Sequence, residues 1–206
     1  VIRAKVPKAP RFPDVDMITM SKAHIWFNDP QKSEILVEDL ILGLAELKRY
    51  NSTIPWTIGQ HLAMCVELTQ TTHPNPESYI GYVAIHDIHE VYTNDLPSGI
   101  KKYCLGYKAV ESIWEEAMLD FYNLDPESDA IAAIVKTIDE FTLLAEMEYH
   151  NHPGYETVAW RIGRWANSIE MAAIERVAAL TQEECWQKVH CAIVQTSEYQ
   201  RINNGN

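Results

Sequence analysis

The sequence predicts an all-α, single-domain protein with a short irregular or hairpin segment at its N-terminus. Three observations carry this expectation. From Ser33 onward apolar residues recur at helical rather than alternating spacing. Breaks such as His73-Pro-Asn-Pro76 and Asn94-Asp-Leu-Pro-Ser-Gly99 cut that pattern into helix-length pieces. A chain of 206 residues, 47% of them apolar, fills one core well and two poorly.

Prolines at 7, 10, 13 and 30 exclude helix from residues 1–32, and Ile18 to Phe27 suits a hairpin or an extended pair. Residues 33–198 are expected to form the helical bundle. Ser33 is placed to cap a first helix through Ile35, Val37, Leu40, Leu44 and Leu47, ending near Arg49–Asn51. Thr57 is placed to cap a second, to about Thr71. A third is expected from about Glu77 to Tyr92, and further helices over about 107–122, 125–149, 155–179 and 182–195. The polar tail, 199–206, is expected to fray.

A formal net charge of −12 argues against binding a nucleic-acid polymer, which needs a basic surface, but leaves room for a small phosphate ligand in one locally basic pocket. Cys65, Cys104, Cys185 and Cys191 show no CxxC pair. Three of them lie in helical stretches, where a reduced thiol acts as a small core residue. There is no apolar run of about 18 residues and no signal-peptide pattern, so a cytoplasmic protein without a membrane partner is expected.

One segment does not suit a plain helical core. HDIHEVYTND, residues 86–95, sets two histidines, two aspartates and a glutamate among Ile80, Val83, Ala84, Ile85, Ile88 and Val91. In a continuous helix His86 and Glu90 share a face, with Asp87 beside them. Buried imidazoles and carboxylates need compensation, either from one another or from a cation. His61, among Ile58, Leu62 and Val66, and Asp139, among Ile134, Val135, Ile138 and Leu143, are polar residues at similarly apolar positions on two other helices. His61, His86, Asp87 and Asp139 make a mixed nitrogen and oxygen set that suits Zn, Mn, Co, Ni or Fe in a helix bundle.

In the order His61, His86–Asp87, Asp139, these residues resemble the H…HD…D pattern of the HD-domain metal-dependent phosphohydrolases. HDIHEVYTNDLPSGIKKY, residues 86–103, is similar to a block of that family's small nucleotidase branch, which includes bacterial 5'-deoxynucleotidases. VEDLILGLAELKRYN resembles the branch's first helix, ending in an Arg-aromatic pair, here Arg49–Tyr50. ITMSKAHIWFNDP resembles a version common in phages and bacteria, to which the phage dATP triphosphohydrolases are close. The resemblance covers about residues 17 to 150. Two departures stand out: Trp56-Thr-Ile-Gly-Gln-His61 replaces a Ser-Val-Ala-Glu/Gln-His lead-in, and Asn94 stands where glycine is common.

The resemblance implies an HD-domain bundle in which His61, His86, Asp87 and Asp139 bind a divalent metal, Zn, Co or Mn, with additional Mg possible. It gives Glu90 the role of positioning or deprotonating the attacking water, the alternative being a hydrogen bond that orients a ligand histidine. Asp95 is either general acid for the leaving oxygen or a partner of Arg49 or a lysine. Arg49 and Lys101 are placed to meet phosphate, and Tyr50 and Trp56 to stack on a base or to join the core. His89 lies one step off the metal face. Arg161 and Arg164 read as a helical pair forming surface or subunit salt bridges.

The implied activity is hydrolysis of a deoxynucleotide phosphate, foremost a dATP or dNTP triphosphohydrolase releasing tripolyphosphate. A 5'-deoxynucleotidase acting on dNMPs and a non-catalytic nucleotide sensor are the alternatives. A homo-oligomer is expected from the relatives, located in the host cytoplasm if the chain is phage-encoded.

Overall fold

The computed structural model describes residues 16–104 and 106–204. Most of the prolines expected to keep the N-terminal segment irregular lie outside that range. The expected hairpin forms: β1 (Asp16–Ile18) pairs antiparallel with β2 (His24–Trp26), Met17 opposite Ile25. Ile25 is fully buried and anchors the hairpin to the bundle.

Helix α1 spans Val37–Glu46 and has no side-chain cap. Ser33 is not its N-cap. Its hydroxyl accepts from the Trp26 backbone at 2.8 Å, and the Glu34 N–H donates to the His24 carbonyl, so residues 33–34 stay extended along the hairpin. The helix also stops before Arg49. Leu47 turns extended, Lys48 bridges to Thr57, and Arg49 N–H donates to the Trp56 carbonyl at 2.9 Å. The loop between them closes through Tyr50, Asn51 and Ser52, all at positive φ (56°, 51° and 62°). Left-handed backbone costs a residue with a Cβ roughly 1–2 kcal/mol, and here it aims Arg49 and Tyr50 inward.

Helix α2 (Ile58–Thr72) starts on a capping box in which Thr57 and Gln60 satisfy each other's backbone N–H. It is buried on nearly every side, against α1, α3 (Ile80–Ile85), α7 (Asp129–Tyr149), α9 (Ser168–Ala178) and α10 (Gln182–Asn204). Gly59 lets α1 approach, since a Cβ there would lie 2.9 Å from the Leu44 carbonyl oxygen.

The third expected helix is interrupted. α3 ends at Ile85 and α4 runs Glu90–Thr93. Between them the ladder tightens to three-residue bonds, Ile88 N to Ile85 O at 2.9 Å and Glu90 N to Asp87 O at 3.1 Å. His86 to His89 therefore occupy a tight turn. A short α5 (Ser98–Lys101) and α6 (Tyr107–Phe121) follow.

Later boundaries also move. α7 begins at Asp129, where Ser128 caps it, and not at Asp125. The helix expected over 155–179 divides into α8 (Tyr155–Ile162) and α9, because Gly163 (φ 82°) ends one and an Asn167–Glu170 capping box starts the other. α10 continues to Asn204, well past residue 195. Its polar residues are docked, Thr196 accepting the Gly81 N–H at 2.8 Å and Gln200 donating to the Tyr82 hydroxyl at 2.6 Å. The expected fraying tail is helix through its described length. Among the described residues no helix is long and apolar enough to cross a membrane.

Candidate metal centre

Three elements bring the four expected ligands together. α2 supplies His61, the tight turn after α3 supplies His86 and Asp87, and α7 supplies Asp139. His61 Nε2 lies 3.3 Å from His86 Nε2, 3.3 Å from Asp139 Oδ1 and 3.6 Å from Asp87 Oδ2. His86 Nε2 is 3.5 Å from Asp87 Oδ2 and 4.0 Å from Asp139 Oδ1. Ligand atoms held about 2.0–2.2 Å from one tetrahedral ion lie about 3.3–3.6 Å apart, so the spacing fits a shared cation.

The hydrogen bonds behind the site fix what the imidazoles present. His61 Nδ1–H donates to Glu146 Oε1 at 2.7 Å, and His86 Nδ1–H donates to the Val83 carbonyl at 2.8 Å. With both Nδ1 atoms engaged as donors, each neutral ring turns an Nε2 lone pair into the centre. With His61 neutral, two lone pairs and two carboxylates converge there, a set of acceptors.

The charges agree with this. Burial opposes ionisation of Asp87, but His86, His61 and Arg49 hold its pKa well below the usual carboxylate range. Burial likewise works against Asp139, and His61 and His86 outweigh it. Burial and Arg49 oppose a charge on His61, yet Cys65, Glu146 and Asp139 raise its pKa well above the ordinary value. The pocket thus draws positive charge to the Nε2 edge, whether carried by a proton or by a metal.

Glu146 was not anticipated. It is fully buried on α7, seven residues after Asp139 and so two turns along the same face; that spacing was the available signal. Its Oε1 accepts from His61 Nδ1 and from Trp56 Nε1 at 2.8 Å, and its Oε2 from the Tyr50 hydroxyl at 2.8 Å, with Arg49 Nε 3.3 Å away. Burial pushes its pKa up, but His61 and Arg49 pull it lower still.

This hub corrects the stacking role expected of Trp56 and places that residue in the core. Trp56 is 1% exposed, its N–H is spent on Glu146 and its ring meets His150 at 5.4 Å, so it offers no face to a ligand. Tyr50 does line the cleft, with its hydroxyl on Glu146 and its ring against the Arg49 guanidinium and His152.

Beside the centre lies a cleft of about 420 Å³ whose lining includes Arg49, Asp87, Glu90, Asp95, Lys101 and Asp139 together with the apolar Leu143, Met147 and Val158. Glu90 is 3% exposed. Burial, then Asp87 and Asp95, push its pKa well above the ordinary value, and its Oε2 has no hydrogen-bond partner. Asp95 is also pushed up, chiefly by burial. Asn94, standing where glycine is common in the resembled block, takes φ 71°, a backbone state that glycine adopts freely.

Neither expected phosphate-binding cation is free. Arg49 pairs with Asp87 at 3.2 Å as well as with Glu146. Lys101 sits 2.6 Å from Glu111 and 3.4 Å from Glu90. His89, buried at 2% exposure, lies behind them with Nε2 3.9 Å from Glu111 and no hydrogen bond at either ring nitrogen. Arg164 pairs with Glu170 at 2.7 Å over the Phe141 ring, whereas Arg161 lines the mouth of the cleft. A second cavity, about 370 Å³, reaches His86 among Tyr82, Glu115 and Glu127; its carboxylates make it a poor host for phosphate.

No family model matches the chain. It is similar, at 24% identity over 130 residues, to the Escherichia coli (strain K12) protein named uncharacterized protein YfdR, an alignment that covers 62% of this chain and 68% of that one.

Proposed function

We propose that the chain is a metal-dependent phosphohydrolase acting on deoxynucleotides, foremost a dNTP triphosphohydrolase. The observation that supports it most directly is the convergence of four acceptor atoms from His61, His86, Asp87 and Asp139, with both histidine Nδ1 atoms fixed from behind. A divalent ion bound there supplies Lewis acidity toward a phosphoryl oxygen and acidifies water near neutral pH.

The protein's own groups supply the rest. Glu146 and the Val83 carbonyl orient the two imidazoles, and Arg49 holds the Asp87 carboxylate. Glu90, whose carboxylate burial and the neighbouring Asp87 and Asp95 make more basic, takes the proton of the attacking water. Asp95 gives a proton to the departing 5' oxygen. The phosphorus–O5' bond breaks whether that phosphorus carries two further phosphates or none. The ligand set therefore serves a 5'-deoxynucleotidase equally, and only the product separates the two.

The test is to load the protein with Mn, Co or Zn and incubate it with dNTP and dNMP panels, assaying tripolyphosphate against orthophosphate. Tripolyphosphate from dNTPs supports the leading reading and orthophosphate from dNMPs the nucleotidase. Absence of both, with stoichiometric metal present, leaves a nucleotide-binding sensor.

A further inference from the structure

A cleft that takes a chain of phosphates needs positive charge beyond the metal centre, and each cation along its wall has either a partner or none. Arg49 is held by Asp87 and by the fully buried Glu146; even with Asp87 engaged elsewhere, Glu146 keeps it. Lys101 is held between Glu111 and Glu90. Arg161 is different. It lines the same cleft from the last turn of α8, it is exposed, and it forms no ion pair with any described residue. Met147 and Val158 are in the same lining, and none of the cleft's carboxylates, Asp87, Glu90, Asp95 and Asp139, forms an ion pair with it. A planar guanidinium with its donors unspent is suited to bidentate contact with phosphate oxygens.

We infer that Arg161 is the specificity-determining residue for the outer phosphates of a polyphosphate substrate. This rests on the reading of the cleft as a phosphohydrolase site. A nucleotide with one phosphate at the metal centre gains little from Arg161, whereas one with three places its tail against the guanidinium. The expected role is therefore to favour triphosphates over monophosphates and not to take part in bond breaking.

The experiment uses Mn-loaded full-length protein, wild type, Arg161→Ala and Arg161→Lys. Calorimetric titration with inorganic tripolyphosphate and with orthophosphate is read beside steady-state kinetics on dATP and dAMP. Loss of one charge-assisted contact is expected to weaken tripolyphosphate binding about tenfold in Arg161→Ala and to leave orthophosphate within about twofold. Arg161→Lys should fall between, and KM for dATP should rise while kcat holds. Since Arg161 is exposed and pairs with none of the described residues, both variants are expected to melt with the wild type.

Equal weakening of both anions, or of neither, overturns the inference, as does a wild-type protein that does not bind tripolyphosphate. Unchanged kinetics in Arg161→Ala with active wild type removes Arg161 and leaves the hydrolase reading standing. Arg161-dependent tripolyphosphate binding without turnover of any nucleotide keeps the subsite and removes the hydrolase.

Discussion

Two neighbouring clusters are built from the same residue types and differ in one respect. His61, His86, Asp87 and Asp139 converge with no donor of their own at the centre, and Arg49 touches only the rim, through Asp87. His89, Glu90 and Glu111 also lie close enough to share an ion, but Lys101 inserts its ammonium among their carboxylates. The first cluster has a guanidinium on one of its two carboxylates, whereas in the second the ammonium reaches both. Ligand-type residues in proximity are thus a weak criterion. How many of the ligand carboxylates an internal cation already neutralises is the discriminating one.

The largest effect should come from breaking the first cluster. Asp87→Ala is expected to lose bound metal and to lower turnover by about a thousandfold or more, read by elemental analysis beside the product assay. Retained stoichiometric metal would show that the convergence of acceptors does not hold an ion.

Glu90→Ala touches the boundary between the clusters and should keep the metal while turnover falls by roughly 10²–10⁴, the usual worth of a proton-transfer group. Glu90→Gln sharpens the point. The folded pKa of Glu90 lies above its unfolded value, so the wild type loses stability as pH rises from the ordinary carboxyl range toward that folded value. The neutral amide avoids that loss. Metal-free Glu90→Gln should melt about 2–4 °C above the wild type at pH 7, and the gain should vanish below about pH 4, where Glu90 is protonated in both states. A gain that persists in acid would sink the electrostatic explanation.

Glu146→Gln keeps the shape behind His61 but removes the charge that Arg49 and His61 share. Metal affinity is expected to drop about 10–100-fold, the usual cost of altering an outer partner of a ligand histidine, as read by competition with a chelator. Full-strength metal binding would make Glu146 a purely structural hub.

The smallest effect, and the one that tests the contrast itself, is Lys101→Met. Removing the resident cation leaves Glu90 and Glu111 facing each other, and the metal-free protein should lose about 1–3 kcal/mol of stability. Added divalent ion should restore part of it by occupying the vacated position. If millimolar Mn stabilises wild type and variant equally, the second cluster is not a lysine-filled counterpart of the first.

Much of this was legible in the sequence because it is local or periodic. Apolar recurrence marks α2 and α7, Thr57 announces the cap of α2, and polar residues at apolar positions single out His61, His86, Asp87 and Asp139. The misreadings have two causes. Ser33 has the chemistry of an N-cap but is engaged by the hairpin, and 155–179 is helical on both sides of a Gly163 that takes φ 82°. The polar tail holds its helix because Thr196 and Gln200 bond to α3 and to its surroundings. The first and last outcomes depend on partners outside the segment, whereas Gly163 is a local stop within it.

The sequence by itself determined the helical class, the order of the main helices and the ligand types carried on three of them, since periodicity and local capping are written in neighbouring residues. Tertiary structure alone decided the electrostatic assignments. It spent Trp56 and Tyr50 on Glu146, bound Lys101 between two glutamates, closed Arg49 onto Asp87 and left Arg161 open at the cleft. The physical reason is that a charge is neutralised by whatever lies within a few ångströms of it, and that neighbourhood exists only once the helices have packed.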